Sequence, residues 1–226
     1  MNPLQKILLE IFRWPIVTLW HLSGWKTSQP LPDDPKVIII AAPHTTNWDF
    51  VMFLLAALEQ RRRPYVTFKK EWFFPPFKWI LPLLGGIPID RARASNVVNQ
   101  MVQRIEEHET ILLVFTPEGT RKYTEYWKTG FYYVAQQANI PILCGAINYR
   151  TKTIYLDLMF NITGDIEEDF EKIRLYYEEF GYGKYPEKMS KITLRQRDVD
   201  RHNRQKEEES SKEAVSEEIT KQAENQ

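Results

Sequence analysis

Val37-Ile38-Ile39-Ile40-Ala41-Ala42-Pro43-His44-Thr45-Thr46-Asn47-Trp48-Asp49-Phe50 is the stretch on which the reading of this chain turns. Its first six residues are apolar, largely β-branched and uncharged, and they are entered through Pro35. That is the composition of a strand buried on both faces. Pro43 then turns the chain, a histidine follows, and a carboxylate stands five residues beyond it. Open α/β sheets gather their chemistry in such turns, outside the carboxyl ends of the strands.

On one continuous helix a five-residue step rotates side chains by roughly 140°, so His44 and Asp49 would not share a face. With His44 in the turn and Asp49 in the first turn of the next helix, the two can meet. Thr46 and Asn47 are both good N-caps for that helix, and its positive end stabilises a carboxylate at Asp49. Asp49 then holds one imidazole N–H and leaves the other nitrogen to accept a proton. Taken alone, the spacing fits equally a surface turn with a capping Asp, because short motifs match by chance.

The 226 residues suit one domain, or one domain with appendages, and the 43% hydrophobic content is enough for a substantial core. Lys plus Arg and Asp plus Glu both number 30, so bulk charge gives no argument for a nucleic-acid partner. Cys144 is the single cysteine, which excludes an internal disulfide framework; inside an apolar run it reads as a buried, inert thiol. His21, His108 and His202 stand apart from one another, and no His, Cys and carboxylate grouping has metal-ligand spacing.

Aromatic residues crowd into Phe12–Trp25 and Trp72–Trp79. With lysines and arginines nearby, such clusters suit a membrane interface. From Leu4 to Trp20, leading into the first cluster, Leu4, Leu8, Ile11, Phe12, Leu19 and Trp20 recur at roughly helical spacing, and Pro15 either kinks that helix or begins a second. The uncharged run Trp14–Trp25 is about half the ~20 residues needed to span a bilayer, and no small-residue cleavage site follows it. The expectation for residues 1–30 is an amphipathic, membrane-associated helical segment lying in the interface plane; a helix packed on the domain's own core is the alternative.

After the first motif, an apolar helix over 50–60 ends in Arg61-Arg62-Arg63, which complement a helix dipole or contact anionic lipid. Tyr65-Val66-Thr67-Phe68 reads as a short strand followed by Lys69-Lys70. Trp72 to Trp79 is proline-rich and is expected to be irregular, either covering the core or facing lipid. Gly85-Gly86 turns into the strand Ile87-Pro88-Ile89, which must be an edge or irregular strand because Pro88 has no N–H; Asp90-Arg91 leaves its end. An amphipathic helix is predicted over 95–109. A second buried strand, Ile111–Phe115, runs straight into Thr116-Pro117-Glu118-Gly119-Thr120-Arg121, repeating the arrangement of strand, Pro-containing turn and polar residues. Two such turns at one sheet edge build one site. A helix over 131–138, strands over 140–147 and 153–160 and a helix over 165–180 complete a domain spanning 31–190. From 195 to 226 the chain is charged and poor in apolar residues, so disorder or a marginal exposed helix is expected.

Four blocks in order then carry a resemblance. His44-Thr45-Thr46-Asn47-Trp48-Asp49 resembles the His-x4-Asp motif of glycerolipid acyltransferases, the lysophosphatidic acid acyltransferase family. Gly86-Ile87-Pro88-Ile89-Asp90-Arg91 resembles the second motif. Phe115-Thr116-Pro117-Glu118-Gly119-Thr120-Arg121 resembles the third, with Thr116 breaking the usual Phe-Pro-Glu-Gly spelling. Ile140-Pro141-Ile142 resembles the fourth. The resemblance covers roughly residues 36 to 148. It implies that Arg91 binds the acceptor's phosphate, a task the planar guanidinium fork suits. Likewise it implies that Glu118, Gly119 and Arg121 bind the acceptor. A lysine after the second strand is implied as a phosphate contact; Lys69 is taken for it, although the sequence does not separate it from Lys70. Asp90 is read as structural. The family's N-terminal helices imply membrane association here too.

The expected fold is α/β, a mixed, largely parallel sheet flanked by helices with the membrane-associated helical segment before it. The expected reaction moves a fatty acyl group from an acyl thioester, acyl-coenzyme A or acyl carrier protein, to a hydroxyl of a lysophospholipid such as lysophosphatidic acid. His44 is the base and Asp49 its partner, with no bound cofactor, no metal and no covalent acyl-enzyme. The expected location is cytoplasmic, peripheral or monotopic on a membrane surface. A hydrolase using the same His–Asp pair and a non-catalytic membrane scaffold are the rival readings.

Overall fold

A computed structural model describes residues 3–90, 94–208 and 211. Arg91, and the tail from 212 onward, lie outside the described residues.

The stretch quoted first forms β2 (Lys36–Ala42) at the centre of a seven-stranded sheet ordered β1-β7-β6-β2-β5-β3-β4. The other strands are β1 (Lys26–Thr27), β3 (Pro64–Lys69), β4 (Gly86–Ile89), β5 (Ile111–Phe115), β6 (Ile142–Asn148) and β7 (Thr153–Phe160). All neighbouring pairs run parallel except β6 and β7. In β2 the strand period of two sends Ile38, Ile40 and Ala42 to one face and Val37 and Ile39 to the other. Both faces are covered, so neither set is polar.

On the first face, β2 enters a core that also holds Met101 and Ile105 of α4 (Ala94–Glu106), Phe131 and Tyr132 of α5 (Gly130–Ala138) and Phe170 and Ile173 of α6 (Ile166–Phe180). On the second it meets Trp20 of α1 (Pro3–Leu22) and Ala56 of α2 (Asn47–Glu59). Ile38 and Ile40 are fully buried, which stabilises the fold by about 1.5–3 kcal/mol per side chain.

β4 is the edge strand that Pro88 requires. Gly85 enters it with φ +80, and a Cβ there would collide with the Pro64 carbonyl; only glycine tolerates that combination.

Three segments depart from expectation. A regular helix, α3 (Phe77–Leu83), begins within the last three residues of the proline-rich stretch and continues past it, while residues 73–76 are irregular. Pro75 and Pro76 precede its first turn, where a missing N–H costs no helical hydrogen bond. Residues 26–27 belong to the sheet, before the boundary expected at residue 30: β1 pairs with β7, and just after it the Gln29 side-chain amide donates to the Leu156 carbonyl at 2.6 Å. Trp20 and Trp25 are buried with them. Finally, residues 196–208 are helical, with Val199 and His202 buried. His202 is therefore not isolated: its Nε2 lies 3.1 Å from the Gly164 carbonyl and its ring stands edge-on to Tyr132.

Candidate active site

The carboxyl ends of β6, β2, β5, β3 and β4 stand side by side in that order. Tyr149, His44, the 116–121 turn, Lys69 and Asp90 leave the sheet there, each at or just past its own strand.

His44 and Asp49 meet because Asp49 is the third residue of α2. Thr46 is the N-cap, in extended conformation, and its hydroxyl accepts the Trp48 N–H at 3.4 Å. Asp49 Oδ2 reaches back to the N–H groups of Thr45 at 2.6 Å and Thr46 at 2.8 Å. This reciprocal capping box fixes the carboxylate against the turn. The same Oδ2 stands 3.3 Å from Nδ1 of His44. Asp49 is buried, whereas the His44 side chain is 19% exposed, and its Nε2 has no partner among the described residues. One imidazole nitrogen is thus tethered and the other is presented to the outside.

Glu118 turns inward. Both of its carboxyl oxygens lie 3.0 Å from the backbone nitrogen of His44, which donates to them, and the residue is 3% exposed. Burial pushes its carboxyl up to about 8, the His44 N–H pulls the other way, and the Asp49 charge adds to the rise. Its place is under the His44 turn, holding that turn in position.

Gly119 follows with φ +63, and its N–H closes a turn on the Thr116 carbonyl at 3.0 Å. That amide is therefore committed to the turn. The Lys128 side chain occupies the space a Cβ at Gly119 would take. Arg121 is exposed and donates through Nη1 to the Asn47 side-chain carbonyl, which draws its guanidinium to the first turn of α2. Of the two lysines after β3, Lys70 is ion-paired with Asp90, while Lys69 is exposed and has no ion pair among the described residues.

Sequence reasoning missed Tyr149. Its hydroxyl donates to Asp49 Oδ1 at 2.8 Å across a separation of 100 residues. The available signal was its place one residue beyond the buried strand β6, adjacent to β2. The segment after α6 also closes on the site: the Tyr149 N–H donates to the Tyr182 carbonyl at 2.9 Å, and the Tyr185 N–H to the Thr45 hydroxyl at 3.4 Å. Cys144, inside β6, is fully buried, and burial pushes its thiol up to about 12, as suits an inert core residue.

Comparison with known proteins places these turns in a familiar frame. A 1-acyl-sn-glycerol-3-phosphate acyltransferase of Streptococcus pneumoniae (strain ATCC BAA-255 / R6) is 25% identical over 134 residues, which is 57% of this chain and 49% of that protein. The chain thus spans about half the length of the curated relative it matches. In fold it is similar to the crystal structure of the 1-acyl-sn-glycerophosphate (LPA) acyltransferase PlsC from Thermotoga maritima. The TM-score is 0.53 at 14% identity, covering 82% of this chain and 86% of that one. The acyltransferase family model matches residues 26–148, over half of the chain, from β1 through the end of β6 and across all four motif-bearing blocks. The chain belongs to the acyltransferase family.

Proposed function

We propose that this protein is an O-acyltransferase that moves a fatty acyl group from an acyl thioester to a hydroxyl of a lysophospholipid, lysophosphatidic acid first among them, at a membrane surface. The observation that carries this is the tethered imidazole: Nδ1 of His44 against buried Asp49, with Nε2 open at the carboxyl edge of the sheet. Nε2 takes the proton of the acceptor hydroxyl as its oxygen adds to the thioester carbonyl. The tetrahedral adduct collapses by breaking the C–S bond, and the departing thiolate takes the proton back from the imidazolium. The products are a lipid ester and a free thiol, either coenzyme A or a carrier protein. Asp49 keeps the Nδ1–H tautomer and stabilises the imidazolium.

Arg121, Arg91 and Lys69 are the residues proposed to hold the acceptor's phosphate. Arg121 and Lys69 leave strands one and two places from β2, which at ~4.8 Å per strand sets them roughly 5 to 10 Å along the edge from His44; Arg91 is proposed from its motif alone. Arg121 is the nearer of these two, and fixing the phosphate there positions the hydroxyl beside the base. Glu118 and Gly119 serve by shaping the turns.

Membrane association is supported by exposed apolar side chains. Trp14, Leu19 and Leu22 of α1 are 69%, 66% and 78% exposed, and Trp79 and Leu83 of α3 are 60% and 77% exposed. Among the described residues no helix is long and apolar enough to cross a membrane; contact in the interface plane is the mode these faces suit.

The test is transfer of a labelled acyl group from acyl-coenzyme A and from acyl carrier protein to lysolipids with and without phosphate. Transfer confined to phosphate-bearing acceptors, with Arg121→Ala raising their KM about 10- to 100-fold, is the expected result. Free fatty acid as the sole product would make the protein a hydrolase.

A further inference from the structure

Asp49 divides its hydrogen bonds between its two oxygens. Oδ2 takes the Thr45 and Thr46 amides and faces His44, while Oδ1 takes the Tyr149 hydroxyl at 2.8 Å. The phenol is held from behind. The Trp25 ring meets Tyr149 edge-on with centroids 5.0 Å apart, Trp20 stacks on Trp25 at 5.4 Å, and the Tyr149 N–H is anchored on Tyr182. Burial first, and then the Asp49 carboxylate, keep the phenol well above its usual range, so it stays a proton donor. Tyr149 lies just past the stretch matched by the family model, and none of the four motif blocks contains it.

We infer that Tyr149 is a positioning residue for the His44–Asp49 pair: its hydroxyl pins the outer oxygen of Asp49 so that the inner one stays aimed at His44 Nδ1. This rests on the acyl-transfer reading for its effect on rate, but not for its effect on the imidazole. A carboxylate held at one oxygen alone can swing about its terminal torsion, which has broad wells; a donor on each oxygen fixes its plane. The hydroxyl also neutralises part of the Asp49 charge that His44 feels.

The experiment uses Tyr149→Phe in the full-length protein, which keeps the ring against Trp25. With 15N-labelled histidine, the four imidazoles are followed by NMR across pH, and His44 is assigned by its loss in His44→Gln. Wild type should show His44 as the Nδ1–H tautomer. Tyr149→Phe should displace the His44 resonances while leaving those of His21, His108 and His202 in place. In the acyl-transfer assay kcat should fall about 10- to 100-fold, as for losing a partner behind a working imidazole, with lysolipid KM within about twofold of wild type. Unchanged His44 resonances overturn the inference whatever the turnover. A lowered kcat accompanied by an equal rise in KM, or by displaced resonances at all four histidines, also overturns it, as a general loss of structure. Absence of acyl transfer in the wild type overturns the functional reading alone, and the imidazole signals then decide the role of Tyr149.

Discussion

Oδ2 of Asp49, the oxygen that closes the capping box of α2, is the same oxygen that stands 3.3 Å from Nδ1 of His44. A helix-start device and a base-orienting device are therefore one carboxylate. The two roles separate by substitution. Asp49→Asn retains an acceptor for the cap but loses the charge that stabilises an imidazolium. It should lower kcat about 100- to 10,000-fold and leave unfolding free energy within about 1 kcal/mol. Asp49→Ala should lose activity likewise and cost about 1–3 kcal/mol, because the cap and the buried Thr45 N–H are left without an acceptor. Urea unfolding beside steady-state kinetics reads both; equal stability loss in the two variants would separate Asp49 from the cap.

Glu118 makes stability depend on pH. Its folded-state pKa is raised to about 8 against an unfolded value of ~4.3, so the folded protein holds this proton more tightly. The resulting stabilisation is fully present below the unfolded value and is lost as pH rises to about 8, beyond which it is flat. Glu118→Gln keeps an acceptor for the His44 N–H and cannot titrate. The stability of wild type minus that of Glu118→Gln should therefore fall steadily between those two pH values. Parallel curves from denaturant unfolding at several pH values would refute this placement of the carboxyl.

The exposed apolar residues of α3 give a physical test of the membrane surface. Trp79→Glu with Leu83→Glu alters side chains that are 60% and 77% exposed, so folding should be untouched. Vesicle affinity should fall at least about tenfold, since burying one such side chain is worth about 1.5–3 kcal/mol. Leu175→Glu on α6, at a site 54% exposed, is the control and should bind vesicles as wild type does. Co-sedimentation with anionic vesicles reads the difference; equal binding by all three proteins would remove α3 from the interface.

Much of this molecule is legible from one dimension. Val37–Ala42 announces a strand buried on both faces, and Pro88 announces an edge. The turns after β2 and β5 announce a shared site because parallel strands must deliver their carboxyl ends to the same side. The His–Asp contact is legible too, since Thr46 and Asn47 mark a helix start that brings a five-residue step into contact. What escapes is direction and distance. Pro-Glu-Gly specifies a turn but not that Glu118 points inward, which follows from the His44 N–H that its carboxyl accepts from the turn above. Tyr149 escapes because its partner is 100 residues away, and no local periodicity encodes a contact between neighbouring strand ends. A helix after 195 is one of the two expectations for that segment, but its docking escapes because it rests on Val199 and His202, too few apolar positions to register as a pattern.

The central claim, that His44 is the base of an acyl transfer, is tested most directly by single-turnover transfer of a labelled acyl group to lysophosphatidic acid, comparing wild type with His44→Asn. The account predicts labelled diacyl product from the wild type and a rate about 100- to 10,000-fold lower in the variant, with an unchanged melting temperature and unchanged vesicle binding. Product formation by His44→Asn at the wild-type rate would contradict it.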